Sequence, residues 1–331
     1  SPSLRARQFL RYRICGLSFE SAEPFPELTI SPQTASDDTV QLRRVESLPN
    51  AGQFIRPAVA WTLPDGTPTL TSIKTEGGYL LEFIDLAEFF IDNEGRSVLY
   101  QPRPGIPAHS IRHLILDSVM ALVLSLRGCA VLHASAVVTP LGACAFAAST
   151  GVGKSTLAAS FQRLNYPILT DDCLLLESDG AEIYGVPSYP NARLRGDSLD
   201  LIRTRFDRTL PVAHYNSKRR VKNGGFAVGR HRLARLYFLE RNGAGATGRE
   251  PMIEPVSGVE RLMLALRFMF CLDPHDPAML VRQFRQLEQL LASVPVAKLI
   301  IPNDFAALPR VQAVVLDDLK ARSEAAVSHS G

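Results

Sequence analysis

The run Ser149, Thr150, Gly151, Val152, Gly153, Lys154, Ser155, Thr156 brings together the groups that a polyphosphate needs. Several backbone N–H groups must converge on one anion, which happens where a glycine-rich turn leads from a strand into a helix N-terminus. Lys154 can then set a compact cation against β- and γ-phosphates, and the Ser155 hydroxyl can complete the coordination of Mg²⁺. A G-x-G-K-[ST] string arises by chance in about one chain in a hundred of this length. The alternative is a glycine-rich turn that carries an incidental lysine. Ala148 stands where the usual pattern has its first glycine, a change that a negative φ tolerates.

Downstream, Thr170, Asp171 and Asp172 follow a short apolar stretch. Transfer of a phosphoryl group to an alcohol needs a carboxylate to take the hydroxyl proton and acidic ligands to help hold Mg²⁺, and an Asp pair at a strand end can do both. A strand parallel and adjacent to the one before the glycine-rich turn would deliver them to the same sheet edge. A helix cap or solvated turn is the other use of such a pair. His133, in the apolar series Val131, Leu132, His133, Ala134, Ser135, Ala136, is a third candidate. It is read either as a hydrogen-bonded core histidine, as a support for Asp171, or as a direct participant.

The elements that must position these groups are legible around them. Ala130–Val138 reads as an apolar strand, Ala143–Ala148 as a second one, and Leu157, Ala158, Phe161 and Leu164 as the inner face of a helix ending at Asn165. Tyr166–Leu169 reads as the strand that carries the Asp pair, with Cys173–Leu176 beyond a bend. Leu233–Leu239 is a further strand. Leu280, Phe284, Leu287 and Leu291 have helical spacing up to Pro295.

Residues 1–100 are short β-rich pieces cut by turn chemistry at Pro32, Pro49, Asp65-Gly66 and Gly77-Gly78, and they read as a smaller N-terminal domain. A helix over Leu114–Leu126 opens a second domain spanning 101–322, and 323–331 reads as a disordered tail. That helix carries Asp117 within its apolar run and arginines at its ends, so it is expected to face a core rather than a bilayer.

The chain has 331 residues, 46% hydrophobic and 21% charged, enough for a sizeable core in one or two domains. Its five cysteines form no metal-ligand or disulfide spacing, and no signal-peptide pattern is present in this sequence, so a cytoplasmic, reducing setting is expected. The net charge of +3 is small, yet Arg193 to Arg235 holds twelve Lys or Arg against three Asp. With only Phe206, Tyr215 and Phe226 as aromatics, this segment lacks the stacking platforms of a nucleic-acid groove and suits nucleotide phosphates or an acidic substrate better. Neither a nucleic-acid nor a membrane partner is expected; a homo-oligomer is compatible with the sequence.

In the succession of His133, the 151–155 loop and the Thr170-Asp171-Asp172 strand end, the chain resembles HPr kinase/phosphorylase. It is most similar to the HPr-kinase-related proteins found with lasso-peptide biosynthesis, through Leu132 to Ser135 and through Tyr79 to Phe90. The resemblance covers roughly 80–325. It implies an α/β, HPr-kinase-like P-loop catalytic domain with a mixed sheet, preceded by the β-rich domain, and the cofactors ATP and Mg²⁺. It further implies Asp171 as the base, Asp172 as a metal or hydroxyl ligand, Lys154 and Ser155 as phosphate and Mg²⁺ ligands, and Lys218 and Arg219 as groups near the phosphates. Arg193, Leu194, Arg195 and Gly196 replace a signature that begins with glutamate, and the late Pro-Gly-Arg-Asn segment is replaced by Val256 to Glu260. Both departures point to a substrate other than HPr. In the lasso-associated relatives the implied acceptor is a terminal serine of the precursor peptide. A small-molecule kinase of the same fold, a nucleotide-binding regulator and a nucleic-acid NTPase are the competing classes.

Overall fold

The computed structural model describes residues 9–32, 38–50, 52–62, 65–189, 192–194, 208–214, 219–222, 225–242 and 250–328. The fold is mixed α/β, and the chain forms two compact units. One comprises residues 1–129, 213–215 and 271–282; the other comprises 130–212, 216–270 and 283–331.

In the first unit, turn-punctuated alternation produces strands β1 (Leu10–Ile14), β2 (Leu17–Ser21), β3 (Thr39–Arg44), β4 (Phe54–Thr62), β5 (Pro68–Thr75), β6 (Gly78–Phe83), β7 (Ala87–Asp92) and β8 (Ser97–Pro102). They form one sheet in the order β1-β2-β3-β8-β7-β6-β5-β4. Hairpins make most of its pairs antiparallel, but β2, β3 and β8 run parallel to one another. The sheet is followed by helix α1 (Ala108–Leu114), a π-helical turn at Ile115–Val119 and helix α2 (Met120–Leu126). This run of 19 residues is long and apolar enough to cross a membrane by length and composition, but 72% of that window is buried. The one acidic residue in it, Asp117, is buried and partnered by His113 one turn earlier.

The second unit is built on a mixed sheet. Its strands are β9 (Ala130–Leu132), β10 (Ala134–Thr139), β11 (Gly142–Ala147), β12 (Ile168–Thr170), β13 (Leu174–Asp179), β14 (Glu182–Val186), β15 (Ala192–Leu194), β16 (Arg208–Pro211), β17 (Arg219–Lys222), β18 (His231–Arg241), β19 (Met252–Pro255) and β20 (Val296–Ile301). The backbones of β15, β17 and β16 form a small separate sheet. In the main sheet β11, β18 and β20 are adjacent and parallel, while β10 lies antiparallel on the other side of β11.

Alternation along β11 sends Cys144 and Phe146 to one face and Ala143, Ala145 and Ala147 to the other. The first face is covered by helix α3 (Lys154–Phe161) through Leu157, Ala158 and Phe161, and by the C-terminal helix through Val311, Val315 and Leu319. The second is covered by helix α4 (Gly258–Arg267) and helix α5 (Pro277–Ser293), with Ala265, Leu287, Leu290 and Leu291 in the core. Each such leucine, valine or phenylalanine stabilises the unit by about 1.5–3 kcal/mol.

Three expectations are corrected. The apolar stretch 130–138 is two strands rather than one: the chain breaks at His133, so that β9 pairs with β13 whereas β10 pairs with β11 and β12. The strand carrying the Asp pair is not adjacent to β11. Strand β12 pairs with β10, antiparallel, and so runs in the direction of β11 with β10 between them. Finally, residues 323–328 continue the C-terminal helix α6 (Leu308–Ser328) instead of opening a disordered tail. No Gly or Pro interrupts the sequence from Arg310 to Ser328, so nothing in it stops the helix earlier.

Candidate phosphate-binding site

Strand order alone brings the candidate residues to one sheet edge. β11 and β12 both end there, β10 begins there, and β18 and β20 end there as parallel neighbours. Parallel sheets collect ligands at this carboxyl edge, because the loops leaving the strands and the helix N-termini that follow converge on it.

The glycine-rich turn leaves β11 after Ala147 and enters α3 at Lys154. Gly151 and Gly153 take φ of +90° and +117°, which a side chain would strain, and Gly153 caps α3 in the left-handed conformation. Ala148 does not have positive φ, so alanine is accommodated there, buried against α3. Thr150 and Gly151 are exposed; Ser149, Val152, Gly153, Ser155 and Thr156 are half-buried; and Lys154 is buried.

Five charged or hydroxyl side chains meet beneath this turn. Lys154 Nζ lies 2.9 Å from Oδ1 of Asp172. Ser155 Oγ donates to Oδ1 of Asp171 at 2.7 Å, and Ser135 Oγ donates to the same oxygen at 2.6 Å. Asp171 and Asp172 are both buried, and Asp172 has φ of +71°, a conformation that asparagine and aspartate tolerate better than most residues but at some cost. His133 secures that conformation: its ring Nδ1 donates to the Asp172 carbonyl at 3.1 Å. Support for Asp171 is one reading of His133; the hydrogen bond made by its Nδ1 goes to the backbone of the neighbouring Asp172. Thr170 Oγ1 spans the bend to the Cys173 carbonyl at 2.7 Å and meets Ser188 Oγ at 2.8 Å, so the turn carrying the aspartates is tied from both sides.

Two arginines that the sequence reading did not single out hold the glycine-rich turn. Arg241, the last residue of β18, donates through Nε to the Val152 carbonyl at 2.9 Å and through Nη1 to Asn303 Oδ1 at 2.9 Å. Arg267, the last residue of α4, donates through Nη2 to Ser149 Oγ at 3.0 Å. Both are exposed. The signal for Arg241 was its place just after the strand Leu233–Leu239; the missing step was to place that strand beside β11. Ser135 was visible as a lone hydroxyl in an apolar strand. Arg267 had no signal without the tertiary fold.

Lys218 lies outside the described residues, as do 195–207, which include Arg195 and Gly196 of the departed signature. Arg219 is described by its backbone, in β17, paired with Leu194 and Pro211.

The donor set fits a nucleotide phosphate and its metal. Ser155, Asp171 and Asp172 offer hard oxygen ligands of the kind Mg²⁺ takes, and Mg²⁺ characteristically uses one or two carboxylates with substrate phosphates rather than an all-protein cage. The space around Gly151 is open on the side where a Cβ would project.

The sequence matches no protein-family description, and no curated protein is similar to it. Among solved structures, the HPr(Ser) kinase/phosphatase from Coxiella burnetii is similar over 60% of this chain and 96% of that one, with 12% sequence identity and a TM-score of 0.32.

Proposed function

We propose that this protein is an ATP-dependent kinase that phosphorylates a serine hydroxyl of a peptide, with the terminal serine of a lasso-peptide precursor as the acceptor. The observation that carries the reading is the convergence of Lys154, Ser155, Asp171 and Asp172 under a glycine-rich turn at the carboxyl edge of a mixed sheet. A turn of structural use only would have no reason to aim a buried lysine and two buried carboxylates at its own floor.

The backbone amides from Gly151 to Thr156 would cradle the β- and γ-phosphates, and Lys154 would exchange its carboxylate partner for phosphate oxygens. Asp172, which already holds a cation on Oδ1, is the natural metal ligand together with Ser155. Bound Mg²⁺ would supply charge neutralisation on the transferring phosphoryl oxygens. Asp171 accepts the proton of the serine hydroxyl as the new O–P bond forms and the bond to ADP breaks. The two serine hydroxyls on its Oδ1 fix the plane of the carboxylate. Arg241 and Arg267 hold the turn in the shape that makes these contacts. Five free cysteines suit the reducing cytoplasm, where ATP is abundant.

The deciding experiment is incubation with Mg-ATP and a lasso-precursor peptide that ends in serine, followed by mass spectrometry. A gain of one or more phosphates on a serine supports the reading. Transfer to free serine but not to the peptide would make the protein a small-molecule kinase, and ATP binding without transfer would make it a regulator.

A further inference from the structure

A groove opens beside the glycine-rich turn, and its lining includes Gly153, Thr156, Arg241, Pro302, Phe305 and Leu308. All of them belong to the second unit. Strand order places this groove across β11 from the aspartates. β12, which carries Asp171 and Asp172, lies two strands from β11 with β10 between them. β20, which leads into Pro302 and Phe305, lies two strands from β11 on the other side, with β18 between them. A triphosphate seated on the turn with its terminal phosphate toward the aspartates must therefore carry the rest of the nucleotide toward β18 and β20. Two strand spacings are about 10 Å, a gap that a ribose and a base can bridge.

The surface there suits a flat ring. Phe305 is 41% exposed, and its backbone is fixed by the turn that carries it. Asp304 accepts from Ala306 N–H through Oδ1 at 2.9 Å and from Ala307 N–H through its carbonyl at 3.1 Å, and Ala307 is buried. The Arg241 guanidinium is held by its bonds to the Val152 carbonyl and to Asn303 Oδ1, both at 2.9 Å. Neither acceptor is charged, and a guanidinium with a fixed plane offers its face to an aromatic ring. Its Nη2 lies 3.3 Å from the point where a Cβ on Gly153 would stand, so it sits directly against the phosphate turn. Pro302 and Leu308 add apolar surface. The groove is shallow, with about 30 Å³ enclosed, so a ring would lie along it instead of entering it.

We propose that this groove receives the purine base of the bound nucleotide, stacked on Phe305 and on the face of the Arg241 guanidinium. The inference rests on the nucleotide-phosphate reading of the turn and extends it with a residue, Phe305, that has no part in holding phosphate.

Calorimetric titration of the full chain in Mg²⁺, with ATP and with inorganic tripolyphosphate, separates the base from the phosphates. ATP should bind at least about tenfold tighter than tripolyphosphate. Phe305→Ala should weaken ATP about tenfold and leave tripolyphosphate unchanged, whereas Phe305→Trp, which keeps an aromatic face, should retain wild-type affinity for ATP. Equal binding of the two ligands by the wild-type protein, or unchanged ATP affinity in Phe305→Ala, would overturn the base site and leave the phosphate site standing. Equal loss of both ligands in Phe305→Ala would overturn it too, since Phe305 would then act only through the shape of the turn. Binding of neither ligand by the wild-type protein would overturn the reading of the turn itself, and the base site with it.

Discussion

The ammonium of Lys154 sits 2.9 Å from Oδ1 of Asp172, with both side chains less than a tenth exposed. This pair fixes the floor of the glycine-rich turn, and its removal has two separable effects. Lys154→Met should lower phosphoryl transfer about a hundredfold or more, by removing the cation that faces the phosphates. It should also destabilise the protein by about 3–5 kcal/mol through the stranded carboxylate. The double variant Lys154→Met with Asp172→Asn should recover most of the lost stability in thermal unfolding and none of the activity. Near-wild-type turnover in Lys154→Met would remove this turn from the active site.

Asp171→Asn keeps size and one acceptor oxygen for Ser135 and Ser155 but removes the carboxylate proposed as the base. Nucleotide titration should give near-normal affinity, and single-turnover transfer should fall by about two orders of magnitude. If Asp171→Asn transfers normally and Asp172→Asn does not, the two aspartates exchange roles. Ser135→Ala, which releases the carboxylate from one of its two anchors, should cost about tenfold in rate with little change in nucleotide affinity.

The arginines that brace the turn should act on binding. Arg241→Ala frees the Val152 carbonyl and loosens the loop, so nucleotide affinity should drop about tenfold in equilibrium titration. Arg267→Ala, which loses the contact to Ser149, should lower the rate of transfer more than it weakens binding, since its guanidinium lies beside the turn where charge develops. Unchanged behaviour in both would make them ordinary surface arginines. Lys218→Ala and Arg219→Ala, which the resemblance places near the phosphates, belong in the same series.

Behind the sheet, Arg235 is 1% exposed and donates through Nε to Asp318 Oδ2 at 2.9 Å, and the Tyr237 hydroxyl donates to the same oxygen at 2.8 Å. Asp318→Ala would leave a fully buried guanidinium without its counter-ion. It should cost about 3–5 kcal/mol in denaturant unfolding, whereas Arg235→Met with Asp318→Leu should be far milder.

Alkaline pH tests the buried phenols. Burial raises Tyr100 to about 12, and burial followed by Asp318 raises Tyr237 above its ordinary value. In both cases the folded state retains a proton that the unfolded chain gives up near pH 10, so stability is whole below that pH and falls as pH rises above it. Tyr100→Phe should flatten this fall by about 2–3 kcal/mol at pH 12, as read from urea midpoints across pH 9–12.

The sequence by itself determined the chemistry on offer and the local elements around it. Gly151, Gly153, Lys154 and Ser155 are one contiguous string, the Asp pair closes a short apolar stretch, and Asn165 ends the helix in the left-handed conformation that asparagine tolerates. Such features depend on neighbours within a few residues, so spacing reveals them. Tertiary structure decided who touches whom. Ser135 reaches Asp171 across 36 positions, Arg241 reaches Val152 across 89 and Arg267 reaches Ser149 across 118. The break at His133 likewise follows from β9 and β10 having different partners. Strand order sets these contacts through the packing of whole faces. An apolar strand satisfies its hydrogen bonds equally well beside several neighbours, so its residues alone do not specify which neighbour it takes.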